Sequence, residues 1–256
     1  MDSELAVEVA EAAARRAGEL VRREFLLRPV SHAKGGRFDR VTAADCRAED
    51  LIRSELLAAS SCSMVIGEER GITGNGRVHW YVDPIDGTYN FARGIPLFCV
   101  SIGVVIDAEV RGGCVYDVIR DEMFSAAETV FRINGRPAQR HADGPPLLLT
   151  DVPDIHGYVG APDSVDVRRI GSSALALAWV AAGRADLAAN VNVYAWDIAA
   201  GQALVRAAGG GFAGLPDEEL RTDRRGGFVA WGPGEADLGS RLTRSLRTLP
   251  RSSALA

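Results

Sequence analysis

The chain has 256 residues, of which 47% are hydrophobic, and it carries a formal net charge of −5 at pH 7. This length fits one large domain or two closely packed lobes, and the hydrophobic content is enough for a sizeable core. The acidic balance argues against a nucleic-acid partner. No apolar stretch reaches the ~18 residues of a membrane span, so no membrane partner is expected either.

Cysteine and histidine residues are scattered without the spacing of a zinc site. They are Cys46, Cys62, Cys99, Cys114, His32, His79, His141 and His156. We therefore expect buried, reduced thiols in a cytosolic protein. Because the first residues are acidic and amphipathic, no signal peptide is expected, and the predicted localisation is cytoplasmic.

Hydrophobic periodicity and turn residues predict alternating helices and strands along the chain. Helices are predicted at 3–25, 42–59, 174–182, 196–208 and 235–247. Strands are predicted at 64–66, 80–82, 98–107, 110–119, 122–127, 147–150, 185–189 and 227–231, and those between 98 and 127 suggest an antiparallel meander. Residues 29–41 are predicted to be a loop or a hairpin, 141–146 a loop, and the tail from Pro250 disordered.

The stretch 80–96, WYVDPIDGTYNFARGIP, combines the end of a strand with acidic residues. Asp83 and Asp86 lie three residues apart where the strand is predicted to stop, since Pro84 has no backbone donor for a further ladder bond. Thr88 follows, with free backbone N–H groups if a helix begins there. The carboxyl ends of strands are where α/β folds bind ligands.

Two interpretations of this stretch are open at this point. Asp-Pro and Asp-Gly are ordinary turn dipeptides, so the stretch fits a surface turn in water. Carboxylates this close together also fit a shared hard cation such as Mg²⁺. Glu68, Glu69 and Asp197 are further acids at the ends of predicted elements, and a two-metal site for phosphoryl transfer needs about this set.

Five short blocks occur in a familiar order, within a resemblance that covers about residues 3–235. They are VTAAD (41–45), GEE (67–69), DPIDGTYNF (83–91), GS (171–172) and WDIAAG (196–201), the last followed by AGG (208–210). In these blocks and their order the sequence resembles the inositol monophosphatase family of magnesium-dependent, lithium-sensitive phosphatases.

This resemblance implies a fold of the α/β (α+β) class, a layered αβαβα sandwich of the inositol monophosphatase and fructose-1,6-bisphosphatase type, and a homodimer. A first lobe over residues 1–146 is expected to hold helices, an antiparallel sheet and most metal ligands. A second, α/β lobe over residues 147–256 is expected to carry Asp197. The two lobes together are expected to form one compact catalytic unit.

The resemblance also implies a phosphoric monoester hydrolase with two Mg²⁺ ions per active site, and it leaves room for a third near Glu68. Glu68, Asp83 and the backbone carbonyl of Ile85 are the implied ligands of the first ion. Asp83, Asp86 and Asp197 are those of the second, and Asp83 bridges because a carboxylate has two oxygens. The implied substrate is a small polyol, cyclitol or sugar phosphate.

Thr88, paired with Asp45, is implied to orient the attacking water, with help from Glu68. The amides of Gly87 and Thr88 are expected to bind phosphate oxygens at the start of a helix. Substrate contacts are implied at Asp86, Gly87, Thr88, Gly171, Ser172, Ser173, Asn190 and Asp197.

Several of these residues also have a simpler structural interpretation. Asp45 has capping-box spacing from Thr42, so it fits the third residue of a helix without any catalytic role. Asp197 likewise fits an acid at a helix N-terminus, and Ser172 and Ser173 fit either a helix cap or a substrate contact.

Two positions depart from the animal enzymes of the family. Asn190 stands where those enzymes have a glutamate that contacts substrate hydroxyls, and Ser173 replaces a small alanine. We therefore expect hydrolysis of myo-inositol 1-phosphate without a strong preference over other cyclitol or sugar phosphates. Histidinol phosphate, 3′-phosphoadenosine 5′-phosphate and fructose 1,6-bisphosphate are alternative substrates. A non-enzymatic alternative is binding to the transcription machinery, as in one bacterial branch of the family.

Overall fold

The computed structural model describes residues 1–27, 30–33, 40–138, 144–159, 165–217 and 219–248. Most of the loop or hairpin predicted at 29–41 lies outside the described residues, and so does part of the predicted loop at 141–146. The predicted disorder from Pro250 onward falls entirely outside them.

The helices are α1 (Ser3–Leu26), α2 (Ala43–Ala59), α3 (Thr88–Arg93), α4 (His156–Val159), α5 (Ser173–Ala181), α6 (Ala195–Ala207) and α7 (Ala236–Arg247). All five helices predicted from the sequence are confirmed, with ends that differ by no more than one residue. Within the described ranges, none of them combines the length and the apolar character that crossing a bilayer requires.

The strands are β1 (Ser31–Ala33), β2 (Arg40–Thr42), β3 (Ser63–Gly67), β4 (Gly71–Gly74), β5 (Val78–Asp86), β6 (Cys99–Ile106), β7 (Glu109–Asp117), β8 (Glu122–Ala127), β9 (Val130–Ile133), β10 (Arg136–Pro137), β11 (Leu147–Thr150), β12 (Asp166–Arg168), β13 (Leu187–Val193), β14 (Gly211–Leu215) and β15 (Gly226–Trp231). The predicted stop at Asp83 is wrong, because β5 continues to Asp86. A register shift between Asp83 and Asp86 accommodates Pro84, which donates no ladder bond.

The described strands form two large sheets and one small hairpin, in which β1 pairs with β2. The larger sheet has eight strands in the order β10-β9-β8-β7-β6-β5-β3-β4, and only the β3–β5 pair is parallel. The meander predicted over residues 98–127 is the antiparallel run β6-β7-β8. The smaller sheet has the order β12-β11-β13-β15-β14.

Helices and sheets stack in five layers, which confirms the predicted αβαβα sandwich. Helices α1 and α2 pack on one face of the larger sheet, and α6 packs on its other face beside α5. The smaller sheet lies beyond α5 and α6, and α7 covers its outer face together with α4. Along the chain, β10 is the last strand of the larger sheet and β11 is the first strand of the smaller sheet. The division of the chain into two lobes at residue 146 stays a prediction.

The four cysteines are free thiols, as predicted, but they are not all buried. Cys99 and Cys114 are buried, whereas Cys46 is half-buried and Cys62 is exposed. The expectation of buried thiols is therefore wrong for the last two, which lie in the second helix and in the turn that follows it.

Helix α6 approaches the larger sheet closely because the strand beneath it carries a glycine. A Cβ atom at Gly103 would lie 2.5 Å from the Cβ of Ala199 and 2.9 Å from the backbone nitrogen of Ala200. The close approach matters for function because α6 carries Asp197 in its first turn.

We predict that Gly103→Ala lowers the free energy of unfolding by about 1–3 kcal/mol, because the added methyl group overlaps helix backbone that no rotamer change relieves. Urea unfolding monitored by circular dichroism measures the change. Gly157→Ala is the matched control, since a Cβ atom there meets open space, and we expect a change within about 0.5 kcal/mol. Equal losses in both variants would contradict this account of Gly103.

Candidate active site

A cavity of about 520 Å³ opens where β3, β5, α3 and α6 meet. Its lining residues are Arg40, Glu68, Asp83, Ile85, Asp86, Gly87, Thr88, Tyr89, Gly171, Asn192, Tyr194, Trp196, Asp197, Thr222 and Arg225. The cavity therefore gathers four carboxylates that lie far apart in the sequence.

Parallel pairing of β3 with β5 places the first two carboxylates side by side. Gly67 is in register with Val82, and the Glu68 amide donates to the Val82 carbonyl at 3.2 Å. Because the two strands run in the same direction, and Glu68 follows Gly67 as Asp83 follows Val82, Glu68 and Asp83 lie at the same edge of the sheet.

The bulge at the end of β5 brings Ile85 and Thr88 to this edge of the sheet. The Ile85 amide donates to Asp83 Oδ1 at 3.0 Å, and the Thr88 hydroxyl donates to the Ile85 carbonyl at 2.9 Å. Gly87 has φ 102° and starts α3. A Cβ atom there would lie 2.9 Å from the Leu97 carbonyl oxygen, so both backbone angle and space require glycine.

The two carboxylate oxygens of Asp45 bond to different parts of the structure, one to the start of α2 and the other to a residue that lines the cavity. Its Oδ2 accepts from the Thr42 amide at 2.8 Å and from the Thr42 hydroxyl at 2.6 Å, which completes the predicted capping box of α2. Its Oδ1 accepts from the Thr88 hydroxyl at 3.0 Å. The carboxylate is fully buried, so these bonds hold both Asp45 and Thr88 in one geometry.

A buried ion pair on α2 supports the turn that carries Glu68. Glu49 pairs with Arg53 at 2.5 Å, and its two oxygens accept from the amides of Glu69 at 2.6 Å and Arg70 at 3.0 Å. Arg53 also donates to the Gly71 carbonyl at 2.9 Å. A side chain at Gly67 would overlap the Glu49 carboxylate, which explains the glycine of the GEE block.

Asp86 ties the cavity to the N-terminus of α5. Its Oδ2 accepts from the Ser172 hydroxyl and from the Ala174 amide, both at 2.6 Å. Ser172 Oγ in turn accepts from the Leu175 amide at 3.2 Å, so it is the helix cap. The Cys99 sulfur lies 3.9 Å from the same Asp86 oxygen.

Asp197 reaches the cavity from the first turn of α6. Its Oδ2 accepts from the Tyr194 amide at 2.8 Å, which is the capping role that the sequence also suggested. The rings of Tyr194 and Trp196 stack with centroids 4.7 Å apart.

Burial and mutual repulsion make these carboxylates hard to ionise without a counter-charge. Burial raises the pKa of Asp86 to about 6, and the charge of Glu68 adds to the rise although the Ser172 and Ala174 bonds oppose it. Burial also raises the pKa of Asp197 well above its ordinary value, with further contributions from Asp86 and Glu68. A divalent cation among them would offset this cost.

The donor set fits Mg²⁺, since carboxylate and carbonyl oxygens are the ligands that hard cations prefer. Across the described residues, no group of three or more acidic, histidine or cysteine side chains has the arrangement of a ready-made metal site.

Three expected substrate contacts face the protein rather than the cavity. Ser172 caps α5 and bonds to Asp86. The Asn190 side chain donates to Ser173 Oγ at 2.9 Å and accepts from the Asp151 amide at 2.6 Å. Gly171 does line the cavity. Contact of Ser172, Ser173 and Asn190 with a substrate stays a prediction.

Sequence reasoning missed the cavity wall that carries no carboxylate. This wall is formed by Asn192, Tyr194, Thr222 and Arg225. The irregularity of β13 between Val191 and Val193 brings Asn192 to the surface of the cavity. No motif marked these residues, because the bulge and the approach of the 222–225 segment are tertiary features.

The match to known proteins spans nearly the whole chain. The model of the inositol monophosphatase family matches residues 2–238. A relative named Nus factor SuhB, from Xylella fastidiosa, is 36% identical over 220 residues, which cover 80% of each chain. An inositol-1-monophosphatase from Rhizobium meliloti is 35% identical over 217 residues, 76% of this chain and 80% of that protein.

A solved structure has the same fold. The inositol monophosphatase from Anabaena has a TM-score of 0.79 and 29% sequence identity, and the superposition covers 98% of both chains. These comparisons agree with the family resemblance found in the five sequence blocks.

We predict that Glu49→Gln lowers the free energy of unfolding by about 3–5 kcal/mol, because it leaves the Arg53 guanidinium buried without its carboxylate. Asp50→Asn, one residue further along α2, is the control. Its ion pair with Arg70 is exposed, so water screens it and we expect a far smaller change. A small effect at Glu49, measured by urea unfolding, would show that the pair does not support the turn.

We predict a pH dependence in the metal-free protein. The ordinary pKa of aspartate, about 3.9, rises to about 6 for Asp86 in the folded chain. The folded state therefore binds more protons than the unfolded state between these values, and this contribution to stability is lost as pH rises through them. It amounts to at most about 3 kcal/mol.

The measurement is urea unfolding in chelator at pH 4.5 and pH 7, for the wild type and for Asp86→Asn. As pH rises, the free energy of unfolding of Asp86→Asn should increase relative to that of the wild type. An unchanged difference between the two proteins at the two pH values would contradict the prediction.

Proposed function

Because the chain belongs to the inositol monophosphatase family, we propose that it is a magnesium-dependent phosphomonoesterase that hydrolyses a small polyol, cyclitol or sugar phosphate. The observation that carries this proposal is the gathering of four carboxylates in one cavity, next to a Thr88–Asp45 hydrogen bond. An inositol-1-monophosphatase at 35% identity adds support.

The proposed metal ligands follow the family resemblance. Glu68, Asp83 and the Ile85 carbonyl would hold one Mg²⁺, and Asp83, Asp86 and Asp197 would hold another. When bound, these ions lower the pKa of water and neutralise the negative charge of the phosphoryl group and the leaving oxygen. All five residues line the same cavity, which supports the assignment.

Thr88 is proposed to orient the attacking water. Its single hydroxyl proton is directed toward two acceptors, Asp45 Oδ1 at 3.0 Å and the Ile85 carbonyl at 2.9 Å. The lone pairs of Thr88 Oγ1 are then left to accept a hydrogen bond from water. Asp45 keeps this orientation because its other oxygen is held by Thr42. Glu68 is the proposed acceptor of the water proton.

The amides of Gly87 and Thr88 are proposed to bind phosphate oxygens. The left-handed backbone at Gly87 starts α3, and both residues line the cavity. Backbone donors held in place by a turn need no reorganisation when negative charge develops on the phosphoryl group.

We propose a class of phosphomonoester substrates rather than one specific substrate. Histidinol phosphate and 3′-phosphoadenosine 5′-phosphate are the alternative substrates, with relaxed use of myo-inositol 1-phosphate expected from Asn190. A third Mg²⁺, lithium inhibition, a homodimer and a cytoplasmic location stay predictions from the family resemblance.

A second candidate function is binding to the transcription machinery, because the name Nus factor SuhB belongs to a relative at 36% identity. A protein that acted only by binding would have no need of the carboxylate set. Phosphate release that depends on Mg²⁺ separates the two candidates.

We predict that chelation abolishes phosphate release, that Mg²⁺ restores it, and that Asp83→Asn lowers kcat/KM by about 10³-fold or more, because the variant loses a bridging charge. Inositol 1-phosphate and 2-glycerophosphate are suitable substrates. Asp50→Asn is the control, since that acid is exposed and paired with Arg70 outside the cavity. Near-normal turnover by folded Asp83→Asn would rule out the proposed metal site.

A further inference from the structure

The cavity has two chemically different walls. One carries the four carboxylates, and the other carries Asn192, Tyr194, Thr222 and Arg225. A volume of about 520 Å³ lies in the range of pockets that enclose a whole small ligand. The second wall is therefore available to the part of the substrate that leaves as the alcohol.

Asn192 lines the cavity and has a left-handed backbone conformation. Its φ is 70°, in the left-handed region that side chains rarely adopt, at the irregularity of β13. Its Oδ1 is buried and has no hydrogen-bond partner within the described parts of the chain. Backbone strain and an unpaired buried acceptor at one residue are typical of a site that a ligand completes.

Arg225 is one of two arginines in the lining of this carboxylate-rich cavity, and the other is Arg40. Its guanidinium lies over the Tyr194 ring, 5.1 Å from the centroid, and Tyr194 stacks in turn on Trp196. This aromatic platform restricts the long arginine side chain. The charge of Arg225 also acts on Asp197, so the guanidinium lies close to the carboxylate wall.

We propose that the second wall is an anion subsite, in which Arg225 binds a second negatively charged group on the leaving alcohol and Asn192 accepts from a neighbouring hydroxyl. The substrate class is thus a phosphorylated polyol or sugar that carries another phosphate or a carboxylate. This inference rests on the proposed phosphatase function and adds the recognition of the leaving group. The planar guanidinium group of arginine can bind either a phosphate or a carboxylate through two parallel hydrogen bonds.

Two matched pairs of compounds test the subsite. Fructose 1,6-bisphosphate is compared with fructose 1-phosphate for a second phosphate, and 3-phosphoglycerate with glycerol 3-phosphate for a carboxylate. We expect the doubly anionic member of at least one pair to have the higher kcat/KM, by about 10- to 100-fold. The pair that shows the preference identifies the anion.

Arg225→Gln should reduce this ratio by about tenfold or more. An arginine that only offset the charge of Asp197 would change both members of a pair alike, so the ratio would stay constant. Arg224→Gln is the matched control, because this neighbouring arginine is exposed and does not line the cavity. A wild-type ratio near one, or a ratio that Arg225→Gln leaves unchanged, overturns the proposal.

Binding of the same compounds is measured by calorimetry with Ca²⁺ in place of Mg²⁺. Turnover without a preference for the doubly anionic compounds would overturn the subsite and leave the phosphatase function standing. Preferential binding that depends on Arg225, without turnover of any compound in Mg²⁺, would uphold the subsite and overturn the phosphatase function.

Asn192→Gly tests the second contact. Glycine adopts the left-handed backbone without strain, so the variant removes the amide and keeps the bulge. We expect the ratio of kcat/KM for glycerol 3-phosphate over propyl phosphate to fall about fivefold or more, since only the first compound offers hydroxyl donors. An unchanged ratio removes Asn192 from the subsite.

Discussion

The parallel pairing of two strands is the constraint on which the rest of the site depends. Gly67 of β3 is in register with Val82 of β5, so the next residues along the two segments, Glu68 and Asp83, lie together at one sheet edge. The bulge after Asp83 then brings Asp86 to the same cavity, and α6 adds Asp197 from the next layer. Negative charge concentrated in this way is unfavourable without a counter-charge, which is the physical reason to expect a cation there.

One face of helix α2 supports both halves of this edge. Asp45, Glu49 and Arg53 follow one another at intervals of four residues, so they lie on the same side of the helix. Asp45 holds Thr88. Glu49 binds the amides of the turn after Glu68, while Arg53 ties that turn to Gly71. All three are buried, so the helix contributes polar contacts at the site end of the larger sheet and apolar packing elsewhere.

Glycine residues determine how closely the layers approach. Gly103 admits α6 to the surface of the larger sheet, and Gly201 of α6 admits α5, since a Cβ there would overlap the Leu177 side chain. The four carboxylates of the cavity come from both layers, so their separation depends on these contacts. This links core packing, which tolerates little added volume, to the geometry of the cavity.

The sequence by itself determined the elements and the acids. Capping residues and apolar periodicity located the five predicted helices, and short blocks of acids beside glycine marked Glu68, Asp83, Asp86 and Asp197. These signals are local, because caps, turns and periodicity act within a few residues. Only the tertiary structure decided which groups meet. The continuation of β5 past Pro84, the Glu49–Arg53 support and the wall formed by Asn192 and Arg225 all depend on contacts between distant segments. Asn190 illustrates the same limit, since its place in the chain suggested a substrate contact, whereas in the fold its side chain bonds to Ser173 and to the Asp151 backbone.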